Sequence, residues 1–349
     1  MLMVIIGAGA SYDSSPDKPA RPGDGEAHRP PLADNLFLDS GLRHTARLQF
    51  PIVHEIVPEL LPRPGRSLEE SLQRLQDESV KDPHRLRQLT AVRYYLQYLF
   101  RSLGPAWLND IGSVTNYLAL IGQIIHHRRD DDGDPVCLVT FNYDTLIEHA
   151  LEMRVEMKIN KMGDYVSDKN FKLFKLHGSE NWGRTLTSAP STVSWVNKNP
   201  WGQPEEIISH IDKVSVSDTY VIAGKQAYQG PALFPAVAIP VLSKDQFECP
   251  PAHIAALEAL IPRVTKILTI GWRGKEQHFL NMLTKGLGGS ATGIDIVTVA
   301  GTKDEAQQTL AHIRAASIPI RVGPRFVGGC YASFSDCLAE RQFDPLFSA

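Results

Sequence analysis

Val4-Ile5-Ile6-Gly7-Ala8-Gly9-Ala10-Ser11 is the stretch that decides the fold of this 349-residue chain. Its three β-branched residues predict a buried strand, and the glycines that follow predict a tight turn into a helix. This order places backbone N–H groups at a helix N-terminus, where phosphates bind well. Gly7 would permit the turn, and Gly9 would let the backbone approach a phosphate closely. The opening therefore predicts a phosphate or dinucleotide site in an α/β domain.

Tyr12 departs from the usual dinucleotide pattern, because it stands where the third glycine of G-x-G-x-x-G would be. That third glycine normally allows close packing of the helix on the strand. The departure argues against an ordinary nicotinamide dehydrogenase and leaves the ligand open as some dinucleotide or phosphate.

The remainder of the chain alternates between strand-like and helix-like patterns. Apolar runs predict strands at 136–141, 171–176, 265–270, 293–300 and 318–322, and helical stretches near 274–287 and 303–316 separate the last three. Such alternation is typical of parallel βαβ units. We therefore expect one α/β domain over 1–349, with a Rossmann-like parallel sheet and helices on both faces.

A helical insertion is predicted within this domain, over residues 60–130. Ser67 and Glu70 have the spacing of a capping box, and leucines recur every three or four residues from Leu86 to Leu103. The region after Ser179 looks rich in loops, and its three tryptophans, Trp182, Trp195 and Trp201, are expected to be core anchors, the alternative being a pocket lining.

Composition excludes several classes of function. The net charge is −3, from 36 basic and 39 acidic residues, which offers no global field for nucleic acid or an anionic membrane. No apolar run is long enough to span a bilayer, and the N-terminal apolar run does not resemble a signal peptide, so a cytoplasmic location is expected. The four cysteines form no C-x-x-C pair, so we expect free structural thiols and no metal.

Polar residues follow several of the predicted strands. Asn142 and Asp144 come just after the strand at 136–141, His177 follows the next one, and Gly271-Trp272 follows the strand at 265–270. The carboxyl ends of parallel strands share one edge of the sheet, where open α/β sheets bind ligands. Each signal has a structural alternative: Asn142 or Asp144 could simply cap the next helix, and a single histidine is often structural. Together, they indicate a site.

Four motifs in this order resemble those of sirtuin-like domains, and more specifically those of bacterial sirtuin-like effectors of antiviral defence. The motifs are Gly7-Ala8-Gly9-Ala10-Ser11, Thr140-Phe141-Asn142-Tyr143-Asp144, Lys175-Leu176-His177-Gly178-Ser179 and Ile270-Gly271-Trp272. Pro30-Pro31-Leu32 and the stretch from Pro235 to Lys244 also look like that branch. The resemblance covers roughly residues 1–300.

The resemblance implies an NAD⁺ site in the crevice of the sheet. It puts Gly7, Ala8, Gly9, Ala10 and Ser11 on the pyrophosphate, and it makes Asn142 and His177 the active-site pair. Asp144 would help to shape the ribose and nicotinamide pocket, while Gly271 and Trp272 would close around the adenosine side.

The chain also departs from the protein-deacylating sirtuins. It lacks their four-cysteine zinc module, and Val299-Ala300-Gly301 lacks the asparagine common at that strand end. The cleft for an acyl-lysine peptide therefore has no visible support in the sequence.

From the motifs and the resemblance, we expect an NAD⁺ glycohydrolase that releases nicotinamide and ADP-ribose. The resemblance implies a defence effector that depletes cellular NAD⁺ upon phage infection, regulated by homo-oligomerisation or by a separately encoded defence-system protein. Cyclic ADP-ribose formation, NAD-dependent deacylation, and NAD⁺ or ADP-ribose sensing without turnover are the alternatives.

Overall fold

The computed structural model describes residues 1–20, 27–38, 41–128, 133–189, 201, 204–223, 232–242, 247–289, 293–321 and 328–348. The strands of these ranges are β1 (Leu2–Ile6), β2 (Val136–Thr140), β3 (Phe171–Lys175), β4 (Gly178–Ser188), β5 (Ser215–Ile222), β6 (Leu233–Val237), β7 (Lys266–Ile270), β8 (Asp295–Ala300) and β9 (Gly328–Ala332).

The α-helices follow the same chain order. They are α1 (Ala8–Tyr12), α2 (Gly41–Gln49), α3 (Pro51–Leu60), α4 (Leu68–Ser79), α5 (Pro83–Asp110), α6 (Asn116–His127), α7 (Leu146–Val155), α8 (Asp164–Ser167), α9 (Pro204–Ser209), α10 (Pro251–Leu260), α11 (Gln277–Leu287), α12 (Lys303–Ala315), α13 (Phe334–Ala339) and α14 (Asp344–Ser348).

Six strands form a parallel sheet in the order β3-β2-β1-β7-β8-β9. Counted along the chain within this sheet, the order is 3-2-1-4-5-6, that of the doubly wound dinucleotide-binding folds. Helices surround the sheet, so the predicted Rossmann-like α/β class is confirmed. Ile6 pairs with Thr140 on one side and with Ile270 on the other, so β1, β2 and β7 end at the same level.

The central strands form because their sequences are apolar on both faces. Residues 3–6 of β1 and all of β2 are buried. Strands covered on both faces read as continuous apolar runs, because neither side chain direction meets water. This explains why the run at Val4 was a reliable strand signal.

The predicted strand at 318–322 is wrong. In its described part, to residue 321, only Ile320 forms a bridge, to Ile294, and the sixth strand is β9 instead. Pro319 accounts for the failure, since a proline has no N–H to contribute to a ladder. The sequence of β9, Gly-Gly-Cys-Tyr-Ala, gives no comparable apolar signal.

The helical part between β1 and β2 begins earlier than the predicted 60–130, because α2 and α3 already occupy 41–60. The capping box is confirmed: the Ser67 side chain accepts from the Glu70 amide, and the Glu70 carboxylate accepts from the Ser67 amide. The leucine repeat is likewise confirmed as part of the 28-residue helix α5.

The prediction of a loop-rich region after Ser179 is wrong, since it contains an antiparallel sheet in the order β5-β4-β6. Its strand β4 contains few β-branched residues, so local propensity does not predict a strand there. The strand forms because it pairs with its neighbours β5 and β6. Trp182 and Trp201 are buried core residues as expected. Trp195 lies outside the described residues, as do Ser243 and Lys244 at the end of the Pro235–Lys244 stretch.

In the described part of the chain, two large apolar cores form, beside a small cluster of Trp201, Ala223 and Leu233. One surrounds the six-stranded sheet, and the other joins α2, α3, α4 and α5 to the antiparallel sheet. Phe141 belongs to the first core and Tyr143 to the second, although only one residue separates them. The segment after β2 therefore passes between the cores.

All four cysteines are free thiols, and Cys137, Cys249 and Cys337 are buried. No helix in the described part of the chain combines the length and the apolar character needed to cross a membrane.

Asp13, at the end of α1, connects the two ends of the chain. Its buried carboxylate accepts from the Phe334 and Ser335 amides, at 2.8 and 3.1 Å, and from the Ser335 hydroxyl at 2.7 Å. The Ser333 hydroxyl and the Ala20 amide donate to it as well. Asp13 thus caps α13, whose first amides lack helical partners.

Replacement of Asp13 by alanine should lower the free energy of unfolding by about 3 kcal/mol, because buried donors lose a charged acceptor. Chemical denaturation would measure this against Asp336→Ala, which removes an exposed carboxylate from the first turn of the same helix. Equal stability of the two variants would contradict a linking role for Asp13.

Candidate functional site

The floor of the candidate site is a close backbone contact between the turns that follow β1 and β7. The Gly7 amide donates to the Ile270 carbonyl at 2.9 Å, and the Gly9 amide donates to the Gly271 carbonyl at 3.1 Å. A Cβ on Gly7 would lie 2.4 Å from the Gly271 oxygen, and one on Gly271 would lie 2.2 Å from the Ala10 nitrogen. Gly271 also has a φ of +60°. Only glycine fits this contact, so Gly7, Gly9 and Gly271 are required by the close approach of the two turns.

Asn142 is anchored to this floor. Its Nδ2 donates to the Gly7 carbonyl at 3.0 Å and to the Ser11 hydroxyl at 2.8 Å. Because a carbonyl can only accept, the amide nitrogen must face Gly7, and Oδ1 is left as the atom that could accept from a ligand. The Ser11 hydroxyl lies 2.9 Å from the Tyr117 hydroxyl, and burial raises the pKa of Tyr117 so that it stays protonated.

Asp144 is part of the turn that leads into α7. Its Oδ1 accepts from the Leu146 amide at 3.2 Å, which is the helix-capping contact that the sequence left open as an alternative. Asp144 is 4% exposed, and it also lines the cavity described below. The capping contact and a role in ligand binding are compatible, because a carboxylate has two oxygens.

His177 follows β3 and packs its ring against Phe141, with the ring centroids 4.8 Å apart. It is buried, at 4% exposure. The next residue, Gly178, has a φ of +77°, and a Cβ there would lie 1.9 Å from the Ala236 carbonyl oxygen of β6. Strand β6 therefore dictates the turn at Gly178, and that turn holds His177 at the carboxyl edge of the sheet.

Trp272 serves as an internal support. Its ring stacks on Phe141, with centroids 5.8 Å apart and planes 8° apart, and its Nε1 donates to Glu276 at 2.5 Å. The Trp272 carbonyl accepts from the Thr309 hydroxyl at 3.0 Å. The side chain is 2% exposed, so it shapes the wall of the site more than it offers a free surface.

A buried charge cluster lies behind the Asp144 turn. The Lys175 ammonium donates to the Asp144 carbonyl and lies 2.9 Å from the Glu148 carboxylate. The Thr145 hydroxyl donates to Glu180 at 3.0 Å. Burial raises the pKa of Glu180 to about 7, although the Lys175 charge and the Thr145 hydrogen bond oppose this rise. The cluster fixes the turn that carries the polar residues of the site.

These elements enclose one cavity of about 640 Å³ at the carboxyl edge of the sheet, over the point between β1 and β7 where the strand order reverses. Its lining includes all the predicted site residues except Ala10, which is buried: Gly7, Ala8, Gly9, Ser11, Asn142, Asp144, His177, Gly271 and Trp272. Ligand pockets of about 300–1,000 Å³ are usual. The predicted residues therefore share one cavity of ligand size.

Several residues of the site carried no readable signal in the sequence. The cavity is also lined by Leu36 and Phe100 of the second core and by Arg273 and Lys275 of the loop after β7. Lys175 did offer a hint, since it ends the strand Phe-Lys-Leu-Phe-Lys, directly after two apolar residues. The Pro30-Pro31-Leu32 motif lines the cavity as well, and so does Val299-Ala300-Gly301.

Within the ranges that the structure describes, no group of three or more His, Cys, Asp or Glu side chains could hold a metal ion.

No protein-family profile and no curated protein sequence matches the chain at a significant level. Among solved structures, a mutant Sir2 homologue in complex with 2′-O-acetyl ADP ribose aligns over 98% of this chain and 90% of its own, at 15% identity and a TM-score of 0.41. A second mutant Sir2 homologue, in complex with ADP ribose, aligns over 90% of this chain and 91% of its own, at 15% identity and a TM-score of 0.34. The function is therefore inferred from the site itself.

The buried carboxyl group of Glu180 makes the free energy of unfolding depend on pH. Its pKa of about 7 in the folded protein exceeds the ordinary 4.5, so the folded state holds the proton more tightly. Stability should fall as the pH rises from about 4.5 to about 7 and then level off. Glu180→Gln removes this dependence, and should be more stable than the wild type at pH 8 by on the order of 3 kcal/mol, and similar to it at pH 4.5.

Urea denaturation at the two pH values would measure the difference. Glu258→Gln, at an exposed position of α10, is the matched control and should track the wild type at both. A Glu180→Gln variant with the pH profile of the wild type would show that Glu180 titrates normally.

Proposed function

We propose that this protein hydrolyses NAD⁺ to nicotinamide and ADP-ribose. The observation that carries the proposal is the convergence of Asn142, His177 and the Gly7–Gly9 turn on one cavity at the reversal of strand order. Open α/β sheets bind dinucleotides at this position. The order of the four sequence motifs, which resembles that of sirtuin-like domains, supports the same ligand.

The walls of the cavity suit a reaction that must control water. Pro31, Leu32 and Leu36 contribute on one side, and Phe100 and Phe141 contribute aromatic surface. An apolar wall around a few polar groups is typical of small-molecule sites. Such surroundings also strengthen the electrostatic contacts of the polar groups with a bound ligand.

Hydrolysis of the bond between ribose and nicotinamide requires little acid catalysis from the protein. The bond between the ribose C1′ and the nicotinamide nitrogen breaks, and its electron pair neutralises the cationic pyridinium nitrogen. A water oxygen bonds to C1′ and gives up a proton. The protein must therefore orient this water or a ribose hydroxyl and accept a proton.

Asn142 and His177 supply these two roles in our proposal. Asn142 is held by Gly7 and Ser11 through its nitrogen, so its Oδ1 can accept from the attacking water. An imidazole in its neutral form can accept a proton from water or polarise a ribose hydroxyl, and His177 takes this role. Phe141 restricts the ring of His177 by packing against it.

The wider role that we propose is that of a cytoplasmic antiviral effector that depletes cellular NAD⁺. It rests on the sequence resemblance alone. Unregulated hydrolysis would kill the host, so we propose that homo-oligomerisation or a separately encoded defence-system protein controls the activity. A strictly monomeric protein with constitutive activity would contradict this control.

His177→Ala should lower the rate of nicotinamide release from NAD⁺ by about 10²- to 10⁴-fold, which is the usual contribution of a general base. Asn142→Ala should also lower it. The measurement is product analysis by mass spectrometry on purified proteins. His54→Ala, an exposed histidine of α3 away from the cavity, is the control and should retain full activity.

The same assay separates the alternatives. Equal nicotinamide release by the wild type and both site variants would contradict the assigned site. Binding of ADP-ribose without release of nicotinamide from NAD⁺, also in the presence of the products of neighbouring genes, would indicate a sensor. Turnover that requires an acylated lysine peptide would indicate a deacylase, and cyclic ADP-ribose would indicate attack by the substrate itself.

A further inference from the structure

We infer that Arg273 and Lys275 bind the diphosphate of the dinucleotide. This inference rests on the proposed function, because it assumes a substrate with two phosphate groups. It adds side chains of the loop after β7 to the glycine turn after β1, on which the sequence alone had placed the phosphates.

The loop after β7 presents these two side chains from a rigid backbone. Trp272 is buried, and its indole bonds to Glu276 at the end of the loop. The Arg273 carbonyl accepts from His312 Nδ1 of α12 at 2.8 Å. With its backbone pinned on both sides, the loop leaves the side chains of Arg273 and Lys275 exposed at the cavity.

The glycine turn is poorly equipped to bind two phosphates alone. The Gly9 amide already donates to the Gly271 carbonyl, and the Ala10 amide donates to the Gly7 carbonyl. Helix α1 has only five residues, so the sum of its peptide dipoles is small. A dianion at this floor therefore needs positive charge from another element.

Among the described residues that line the cavity, only Arg273 and Lys275 supply a permanent positive charge, since the lining contains no other lysine or arginine. Neither side chain forms an ion pair with another described residue, so both are available to a ligand. Five carboxylates also line the cavity and repel an anion: Asp13, Glu69, Asp144, Glu276 and Glu305. Among the described lining residues, the permanent positive charge that would attract a phosphate therefore lies on the loop after β7.

The two cations have different geometries. The Arg273 guanidinium can make two parallel hydrogen bonds to a phosphate, whereas the Lys275 ammonium acts as a point charge. We therefore expect Arg273 to contribute more to affinity and to fix the orientation of the diphosphate.

Titration calorimetry with ADP-ribose tests the inference, because this ligand contains the diphosphate and is not turned over. Arg273→Gln should raise the Kd about 10- to 100-fold and Lys275→Gln about 3- to 10-fold. Arg273→Lys should fall between the wild type and Arg273→Gln. The affinity of the wild type should weaken between about 50 mM and about 500 mM NaCl, and the double glutamine variant should lose most of this dependence.

Arg314→Gln is the matched control, since it removes an exposed arginine from α12 outside the cavity lining. If the wild type binds ADP-ribose and both glutamine variants bind it as tightly as the control, this inference is overturned and the proposed function stands. If the wild type neither binds ADP-ribose nor releases nicotinamide from NAD⁺, the proposed function falls and takes the inference with it. The affected side chains are exposed, so loss of folding does not mimic either result.

Discussion

The contact between the backbone of Gly7 and Gly9 and that of Gly271 holds together the crevice on which the remaining site depends. Parallel strands β1 and β7 adjoin where the strand order reverses, and the chain leaves them in opposite directions. The Gly271 amide also donates to the Val299 carbonyl at 2.8 Å, so the contact fixes β8 as well. A methyl group at Gly7 or Gly271 would push the two turns apart, because it would meet rigid backbone and not a flexible side chain.

Polar groups buried around this floor determine where the candidate catalytic residues lie. Asn142 bonds to the Gly7 carbonyl, and Lys175 bonds to the Asp144 carbonyl from the opposite side. Buried charges such as Lys175 and Glu148 cost desolvation energy, so an apolar cluster of the same volume could be as stable. An apolar cluster, however, could not hold the carbonyl oxygen of Asp144 in place. The buried network thus specifies the geometry of the turn.

The second core supplies one wall of the cavity. Leu36 and Phe100 belong to that core, yet they line the cavity together with Phe141 of the sheet core. The segment between β1 and β2 is therefore part of the cavity wall, because it supplies Leu36 and Phe100 to the lining. This arrangement also explains why β4, β5 and β6 matter for the site: they support α5, which carries Phe100, and β6 forces the turn at Gly178 beside His177.

The sequence by itself determined what depends on local physics. The β-branched run before Gly7, the capping box at Ser67 and the leucine repeat of α5 each act within a few residues, and each appears where the pattern puts it. The polar residues after the strands were predictable for a related reason, since parallel strands bring their carboxyl ends to one edge. Only the tertiary structure decided the edge strand β9, the antiparallel sheet, and the bonds of Asp13 to α13, about three hundred residues away along the chain. Those features form because distant segments meet, and no local propensity encodes which segment a buried carboxylate or an unpaired strand edge will find.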